Sequence, residues 1–283
     1  MSLVTHQSRF MHYNAGAFVS AGKACLVDPG IAPDEIAALV RELEDAELSY
    51  IVLTHADWDH VLGPEHLPRA TIVAHAEYAR DLDPDGIRVA LGQLEEQAGV
   101  TREHRFKPPL PDETFEDEMA LPVGDLELVL AHAPGHAASM LTIYEPESAT
   151  LWAADVLSDV EIPSIIDDLD GYERTLARLA ELEIRTLVVG HGTPTDDERE
   201  IRRRLAEDRA YLAELRASIT EAVVAGRSLE ETVAACERLS LRRSDGDDGL
   251  HRLNVEKVYA DRGGDADPDQ VGYARAWKEM TRS

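Results

Sequence analysis

The chain has 283 residues, 44% of them hydrophobic, which is enough for one α/β domain with a sizeable core and an appendage. Asp and Glu number 55 against 28 Lys and Arg, so the net charge is -27. Such a charge disfavours binding to phosphate backbones and to anionic membranes. The acidity suits either a salt-rich cytoplasm, where counterions screen it, or a GC-rich genome, and both origins stay open.

The two cysteines, Cys25 and Cys236, lie far apart in the sequence, which excludes a disulfide framework and fits a reducing compartment. The first residues lack a charged leader followed by an apolar run. Nowhere does an apolar stretch approach the ~18 residues of a membrane span. We therefore expect a soluble cytoplasmic protein.

The first half of the chain alternates predicted strands and helices. Residues 17–28 predict two short strands around a Gly-Lys turn, and residues 33–47 predict an amphipathic helix. The apolar run SYIVLTH predicts a buried strand that ends at Thr54-His55. A strand at 70–74 and a short helix at 75–81 follow. Residues 82–114, with the helix-like LGQLEEQAG, predict a surface excursion near the mouth of the site.

The second half begins with four predicted strands, EMALPV, LELVLAH, SMLTIYE and TLWAAD. A helix at 170–182 and the buried strand RTLVVGH follow them. After residue 195 the pattern becomes helical, with helices at 196–225, 228–239, 250–260 and 268–281 and a loop, DGDDG, at 245–249. Two βαβ-like halves would form two sheets with helices outside. We predict a catalytic domain over 1–195 and a helical extension over 196–283 packed on its core.

Four potential metal ligands occupy six residues directly after the buried strand IVLT: His55, Asp57, Asp59 and His60. The carboxyl ends of strands are where sites form in α/β folds. In an extended turn, the side chains at positions 55, 57 and 59 point to one side. This spacing differs from the helical HExxH motif, in which ligands recur at i and i+4.

Three further candidates each follow a predicted strand. His136 lies in a Pro-Gly turn, Asp155 ends TLWAAD, and His191 ends RTLVVGH. A single histidine is usually structural, but this set of strand-terminal His and Asp residues indicates a metal centre. Trp58 is interpreted as a core residue. His12, His66, His75, His104 and His132 are interpreted as structural or surface residues.

The order HxDxDH, PGH, strand-end Asp and GHG resembles the metallo-β-lactamase superfamily over roughly residues 12–195. Asn14, Asp28-Pro29-Gly30 and Leu62-Gly63 add to the resemblance. It implies an αββα sandwich with a one- or two-metal site between its sheets. Position by position, it implies that His55, Asp57 and His136 bind a first metal ion. Asp59, His60 and His191 would bind a second, with Asp155 bridging both.

The sequence departs from the family pattern at Asp57, where the family has histidine. With three carboxylates and a bridging hydroxide, the charge of two divalent ions would be balanced, which favours iron, manganese or a mixed site over zinc alone. Zinc remains the first expectation of the resemblance. Asp57 could instead lie outside the ligand set, with one metal ion bound tightly.

The resemblance implies a hydrolase of a small ester, thioester or lactone that uses a metal-bridging hydroxide, with Asp59 also handling protons. The alternative is a mononuclear non-haem iron dioxygenase of the persulfide dioxygenase type, using His55, His136 and Asp155. A non-catalytic scaffold and a nuclease are less well supported. We expect a small-molecule substrate, no nucleic-acid or membrane partner, and a possible homodimer.

Two features have no assigned role in this scheme. The segment 158–163 follows Asp155 and predicts a lip over the site. His251 and Asn254 share a helix face, which is interpreted as solvated rather than as substrate-binding. No residue in the sequence identifies the substrate.

Overall fold

The computed structural model describes residues 2–43, 45–100, 102, 106–237, 241, 243–244 and 246–282. His104 lies outside the described residues. Within these ranges, no helix combines the length and the apolarity that a membrane span needs.

Six strands form the first sheet in chain order: β1 Ser2–Gln7, β2 Asn14–Ser20, β3 Lys23–Val27, β4 Glu47–Val52, β5 Thr71–His75 and β6 Glu113–Phe115. The first three strands pair antiparallel, and β3 to β6 pair parallel. The sequence interpretation missed β1 and β6. β1 is a half-exposed edge strand, and β6 has three residues, so neither shows the apolar pattern of a buried strand.

Five strands form the second sheet: β7 Glu118–Val123, β8 Leu126–His132, β9 Leu141–Glu145, β10 Thr150–Trp152 and β11 Thr186–Val188. Their order is β11-β10-β9-β8-β7. Because β9 is antiparallel to β8 and to β10, and β10 is parallel to β11, the strands β8, β10 and β11 end on the same side of the sheet.

Eight described helices accompany the sheets: α1 Pro33–Glu42, α2 Tyr78–Asp81, α3 Pro84–Ala98, α4 Leu169–Leu179, α5 Glu198–Val224, α6 Leu229–Cys236, α7 Asp247–Asp261 and α8 Gly272–Arg282. Side-chain caps set several of their starts. Asp83, Asp168 and Asp197 accept backbone N–H groups at α3, α4 and α5, and Ser228 forms a capping box with Glu231 at α6.

The core has three layers. Between the sheets, side chains such as Phe18 and Val27 from the first sheet pack with Leu128 and Trp152 from the second. A second cluster joins the first sheet to α1 and α3, and a third joins the second sheet to α4 and the C-terminal helices. The predicted αββα sandwich with C-terminal helices is therefore confirmed.

The helical extension is bound to the sandwich through α5, whose buried Ile201, Leu212, Leu215 and Ile219 recur at helical spacing. Two predictions about this region are wrong. Residues 247–249 of DGDDG form the first turn of α7, because the acidic residues suit a helix N-terminus.

The second wrong prediction is the solvated helix face of His251 and Asn254, because both residues are buried. The phenol of Tyr211 lies 2.9 Å from both His251 Nδ1 and Asn254 Nδ2. Their polar groups are satisfied inside the extension, and this is how a helix can bury a polar face.

Candidate metal centre

All seven predicted ligands come together where the strands end. The segment 55–60 follows β4 of the first sheet, while His136, Asp155 and His191 follow β8, β10 and β11 of the second. These strand ends meet at one edge of the sandwich, because β8, β10 and β11 run in the same direction. The side chains of the seven residues therefore face one another between the two sheets.

His55, Asp57 and His136 form one group, whose ligand atoms all lie within 4.8 Å of one another. Asp57 Oδ2 lies 3.3 Å from His136 Nε2 and 3.6 Å from His55 Nε2. Asp57, which stands where the family has histidine, thus places a carboxylate oxygen near two imidazole nitrogens. A metal ion held by these nitrogens would need its third ligand there.

Asp59, His60 and His191 form a second group within the same limit. Asp59 Oδ2 lies 3.0 Å from His191 Nε2 and 3.6 Å from His60 Nε2. The resemblance assigned these three residues to the second ion.

Asp155 lies between the two groups. Its Oδ2 is 3.7 Å from His55 Nε2 and 3.5 Å from His191 Nε2, and its Oδ1 is 3.3 Å from His60 Nε2. One carboxylate therefore reaches imidazoles of both groups, which is the geometry that a bridging role requires.

The buried atoms at the centre fit a cation. The Nε2 atoms of His55, His60 and His136 and the Oδ1 of Asp155 have no hydrogen-bond partner, although buried polar atoms nearly always have one. Imidazole nitrogen and carboxylate oxygen are ligands for Zn, Fe and Mn. Together with the resemblance, this donor set indicates a site for divalent metal ions.

Each imidazole is oriented through its Nδ1. His55 contacts Thr54 Oγ1 at 3.0 Å, and His60 contacts Asp28 Oδ2 at 2.9 Å. His136 and His191 donate to the backbone carbonyls of Ser164 and Met11 at 3.1 and 3.0 Å. Because Nδ1 is the donor in these contacts, each Nε2 faces the centre and can bind a metal ion when it carries no proton of its own.

Asp28 contacts the residues around the centre, although the sequence interpretation noted it only as the end of a strand and as part of the family resemblance. Its fully buried carboxylate accepts Thr54 N at 2.8 Å and Thr54 Oγ1 at 2.6 Å, in addition to His60 Nδ1. Its backbone has φ 43, an uncommon conformation for a residue other than glycine. The available signal was its position, directly after the strand that neighbours β4.

Two glycines let the backbone come close to the ligands. A Cβ on Gly190 would collide with Asp155 Oδ1. Gly135 has φ 129, and a Cβ there would collide with the backbone of Tyr172. The Pro-Gly turn before His136 therefore has a steric reason.

The charges of the centre shift the pKa values of its groups. Burial acts to raise the pKa of Asp57, but the imidazoles of His55 and His136 outweigh it and hold that pKa well below its usual range. Burial acts to lower the pKa of His191, but Asp155 and Asp59 outweigh it and raise the pKa to about 10. The clustered carboxylates thus attract positive charge, either protons or metal ions.

Uptake of a divalent ion by the chelator-stripped protein is expected to release protons at pH 7. His191, with its pKa raised to about 10, is protonated at that pH and must lose its proton before Nε2 can bind a metal ion. Metal affinity should therefore increase as the pH rises from 7 towards 10. Calorimetric titration in two buffers of different ionisation enthalpy measures the release, and equal heats in both would contradict it.

The predicted lip lines the site. Ser158, Glu161 and Pro163 line a small cleft of about 10 Å³, room for one water-sized group, together with His136, Asp155 and His191. Burial raises the pKa of the Glu161 carboxyl. The sequence interpretation placed this segment near the site but assigned no role to any of its side chains.

The remaining histidines and Trp58 are placed outside the centre. His75 and His132 stack at 3.7 Å and contact the carbonyls of Glu116 and Ala138. His12 is exposed, and His66 lies 2.8 Å from Arg102 Nη1. Trp58 is partly buried against the core. Their structural interpretation is consistent with these contacts.

A two-sheet sandwich with His and Asp ligands at its strand ends defines a class of metal-binding α/β proteins. The family model described as the metallo-beta-lactamase superfamily matches residues 9–191. The chain belongs to the metallo-β-lactamase superfamily.

Relatives and solved structures agree with this assignment. The chain is 27% identical to a lactamase-like protein of Emericella nidulans over 61% of its own length and 48% of the relative. It is also 27% identical to an acyl-coenzyme A thioesterase of Gallus gallus, over 48% of its own length and 52% of the relative. The chain thus spans about half the length of these curated relatives.

Among solved structures, the chain is similar to a metallo-β-lactamase family protein from Thermus thermophilus, and the match covers 89% of this chain and 91% of that protein. The TM-score is 0.61 at 24% identity, which shows a shared fold.

Proposed function

We propose that the protein is a metal-dependent hydrolase of a small ester, thioester or lactone. The observation that carries the proposal is a buried cluster of four imidazoles and three carboxylates. Several of their nitrogen and oxygen atoms have no hydrogen-bond partner. The thioesterase among the relatives supports an acyl substrate. The negative charge of the chain argues against nucleic acid and anionic membranes as partners, and we propose a small-molecule substrate.

The proposed roles follow the two groups of ligands. His55, Asp57 and His136 would hold one divalent ion, Asp59, His60 and His191 a second, and Asp155 both. When bound, such ions lower the pKa of water to near neutrality and polarise a carbonyl oxygen. Asp59 is also the residue proposed to handle protons, because it is a buried carboxylate of the same centre.

The alternative function is a mononuclear iron dioxygenase. His55 and His136 lie 3.7 and 3.6 Å from Asp155 Oδ2, which supports a two-His, one-carboxylate set. The hydrolase is preferred because Asp59, His60 and His191 are also buried and grouped within 4.8 Å. A mononuclear enzyme would leave this second group without a purpose.

Metal content and a substrate screen together test the proposal. The protein is purified without chelator or added metal, its metal ions are counted by elemental analysis, and matched esters, thioesters and lactones are offered. Two equivalents of Zn, Fe or Mn with turnover of one of these classes is the expected result. One equivalent of iron, with oxygen uptake on sulfur substrates instead, would replace the hydrolase by the dioxygenase.

Asp57→His is expected to keep the metal and to raise the preference for zinc over iron and manganese. The substitution restores a neutral nitrogen ligand and removes one negative charge from the set. Elemental analysis after loading from an equimolar mixture of the three metals measures the change. Unchanged metal content and kinetics would show that Asp57 is not a ligand.

A further inference from the structure

Glu161 places a carboxylate in the wall of the cleft, opposite the predicted ligands. It is not one of the seven ligands. No hydrogen bond or ion pair involves its carboxylate within the part of the chain that the structure describes. Burial raises the pKa of its carboxyl, and the nearby His191 acts to lower that pKa, which places Glu161 beside the predicted ligands. A carboxylate that faces a reaction centre and has no protein partner is available to a bound molecule.

The lip holds Glu161 in a defined place. Ser158 Oγ accepts the backbone N–H groups of Val160 and Glu161, both at 3.1 Å. Arg243 Nη1 donates to the Glu161 carbonyl at 3.0 Å. The backbone of Glu161 is therefore fixed on both sides, unlike that of a glutamate in a solvated loop.

The helical extension supplies this support. Arg243 is almost fully buried and pairs with Asp208 at 2.8 Å. Asn254, on α7, donates to the Pro163 carbonyl at 2.6 Å and accepts Ile165 N at 2.8 Å. The extension thus positions the lip as well as enlarging the core. The backbone of Glu161 is held in place by these tertiary contacts.

No Lys or Arg side chain is among the described residues that line the cleft with Glu161, and His136 and His191 are the only basic groups in that lining. Arg204 and Arg243, the basic residues nearest in the lip contacts, are buried and pair with Asp159 at 3.4 Å and with Asp208. Three of the seven predicted ligands are carboxylates, which offset most of the charge of two divalent ions. With the ions bound and the histidines neutral as their ligands, Glu161 would give this part of the cleft a negative potential.

We propose that Glu161 determines specificity by binding an ammonium group near the scissile bond and by repelling a carboxylate in the same place. The substrate class is then an ester or thioester with a cationic acyl chain. This inference rests on the proposed hydrolase function, because it assigns a substrate class to that site. The strong net negative charge would also concentrate cationic substrates around the protein.

The test uses thioesters of equal acyl length that end in an ammonium, a hydroxyl or a carboxylate group. At low ionic strength, kcat/KM for the ammonium substrate should exceed that for the carboxylate substrate by about 10-fold, as expected for one partly screened charge pair. Glu161→Gln should remove most of this ratio, and Glu161→Lys should invert it. Glu127→Gln, an equal charge change at an exposed site at the start of β8, should leave the ratio unchanged.

Two further measurements separate this inference from the function itself. Elemental analysis should give the same metal content in Glu161→Gln as in the wild type, and metal loss would make Glu161 a ligand and overturn its role in recognition. Calorimetric binding of the matched non-hydrolysable amides tests charge selection without turnover. A wild type that hydrolyses all three thioesters equally, or binds the amides equally, would overturn the inference. A wild type that binds the ammonium amide preferentially but hydrolyses nothing would overturn only the hydrolase.

Discussion

Asp155→Asn should lower kcat/KM by at least about 10³-fold, because bound metal ions would supply several kcal/mol of transition-state stabilisation and Asp155 reaches both ligand groups. Its two oxygens lie 3.3 to 3.7 Å from the Nε2 atoms of His60 and His55. The amide keeps the size of the side chain and removes its negative charge. The fold should survive, since no core packing is lost. His136→Ala should act in the same direction by removing one ligand of a single group.

Turnover, metal content and thermal unfolding of the variant give the answer together. Asp125→Asn is the control, because it makes the same chemical change at an exposed turn before β8. A properly folded Asp155→Asn protein with full activity would refute the assignment of the metal centre. An unfolded variant would leave His136→Ala as the deciding experiment.

Asp28→Ala is expected to destabilise the protein by about 3–5 kcal/mol, because it removes a buried charge from the groups that it pairs with. Thr54 N, Thr54 Oγ1 and His60 Nδ1 would lose their acceptor in a fully buried place. Metal affinity should fall as well, by about 10–100-fold, because His60 would no longer be held in orientation.

Asp28→Asn separates these effects from backbone strain. Asparagine tolerates the left-handed conformation at φ 43, and one side-chain oxygen can still accept Thr54 N. We expect it to lose less stability than Asp28→Ala but to lose comparable metal affinity, since an amide cannot accept from His60 and Thr54 Oγ1 together. Denaturant unfolding and competitive metal titration measure the two quantities. Wild-type metal affinity in both variants would mean that Asp28 does not orient His60.

The helical extension supports the wall of the site in the predicted catalytic domain. Its residues Arg243 and Asn254 hold the backbone of the lip, and Lys257 donates to the Asp167 carbonyl at 2.8 Å. The predicted boundary at residue 195 stays a prediction, but contacts across it reach the wall of the cleft. Removal of the extension would therefore disturb the site as well as the core.

The predicted ligands could be found from the sequence because the pattern that marks each of them lies in its neighbouring residues. Each candidate follows an apolar strand directly, as His55 follows IVLT and Asp155 follows TLWAA. Alternating apolar runs and turn residues identify such strands, and strand ends are where α/β sites form. The strength of these local patterns is also why most strands and most helices were predicted within a few residues, while the edge strand β1 and the three-residue β6 were missed.

Tertiary structure alone decided what surrounds the ligands. His60 is oriented by Asp28, 32 positions away, and His191 by Met11, 180 positions away. His251 and Asn254 read as a solvated helix face because polarity in a sequence predicts exposure, whereas a folded helix can bury polar groups that find partners. Glu161 likewise has no local pattern that marks it. Hydrogen bonds and potentials depend on distance in space, and pairs so far apart in the chain come together only when the sheets and the helical extension pack.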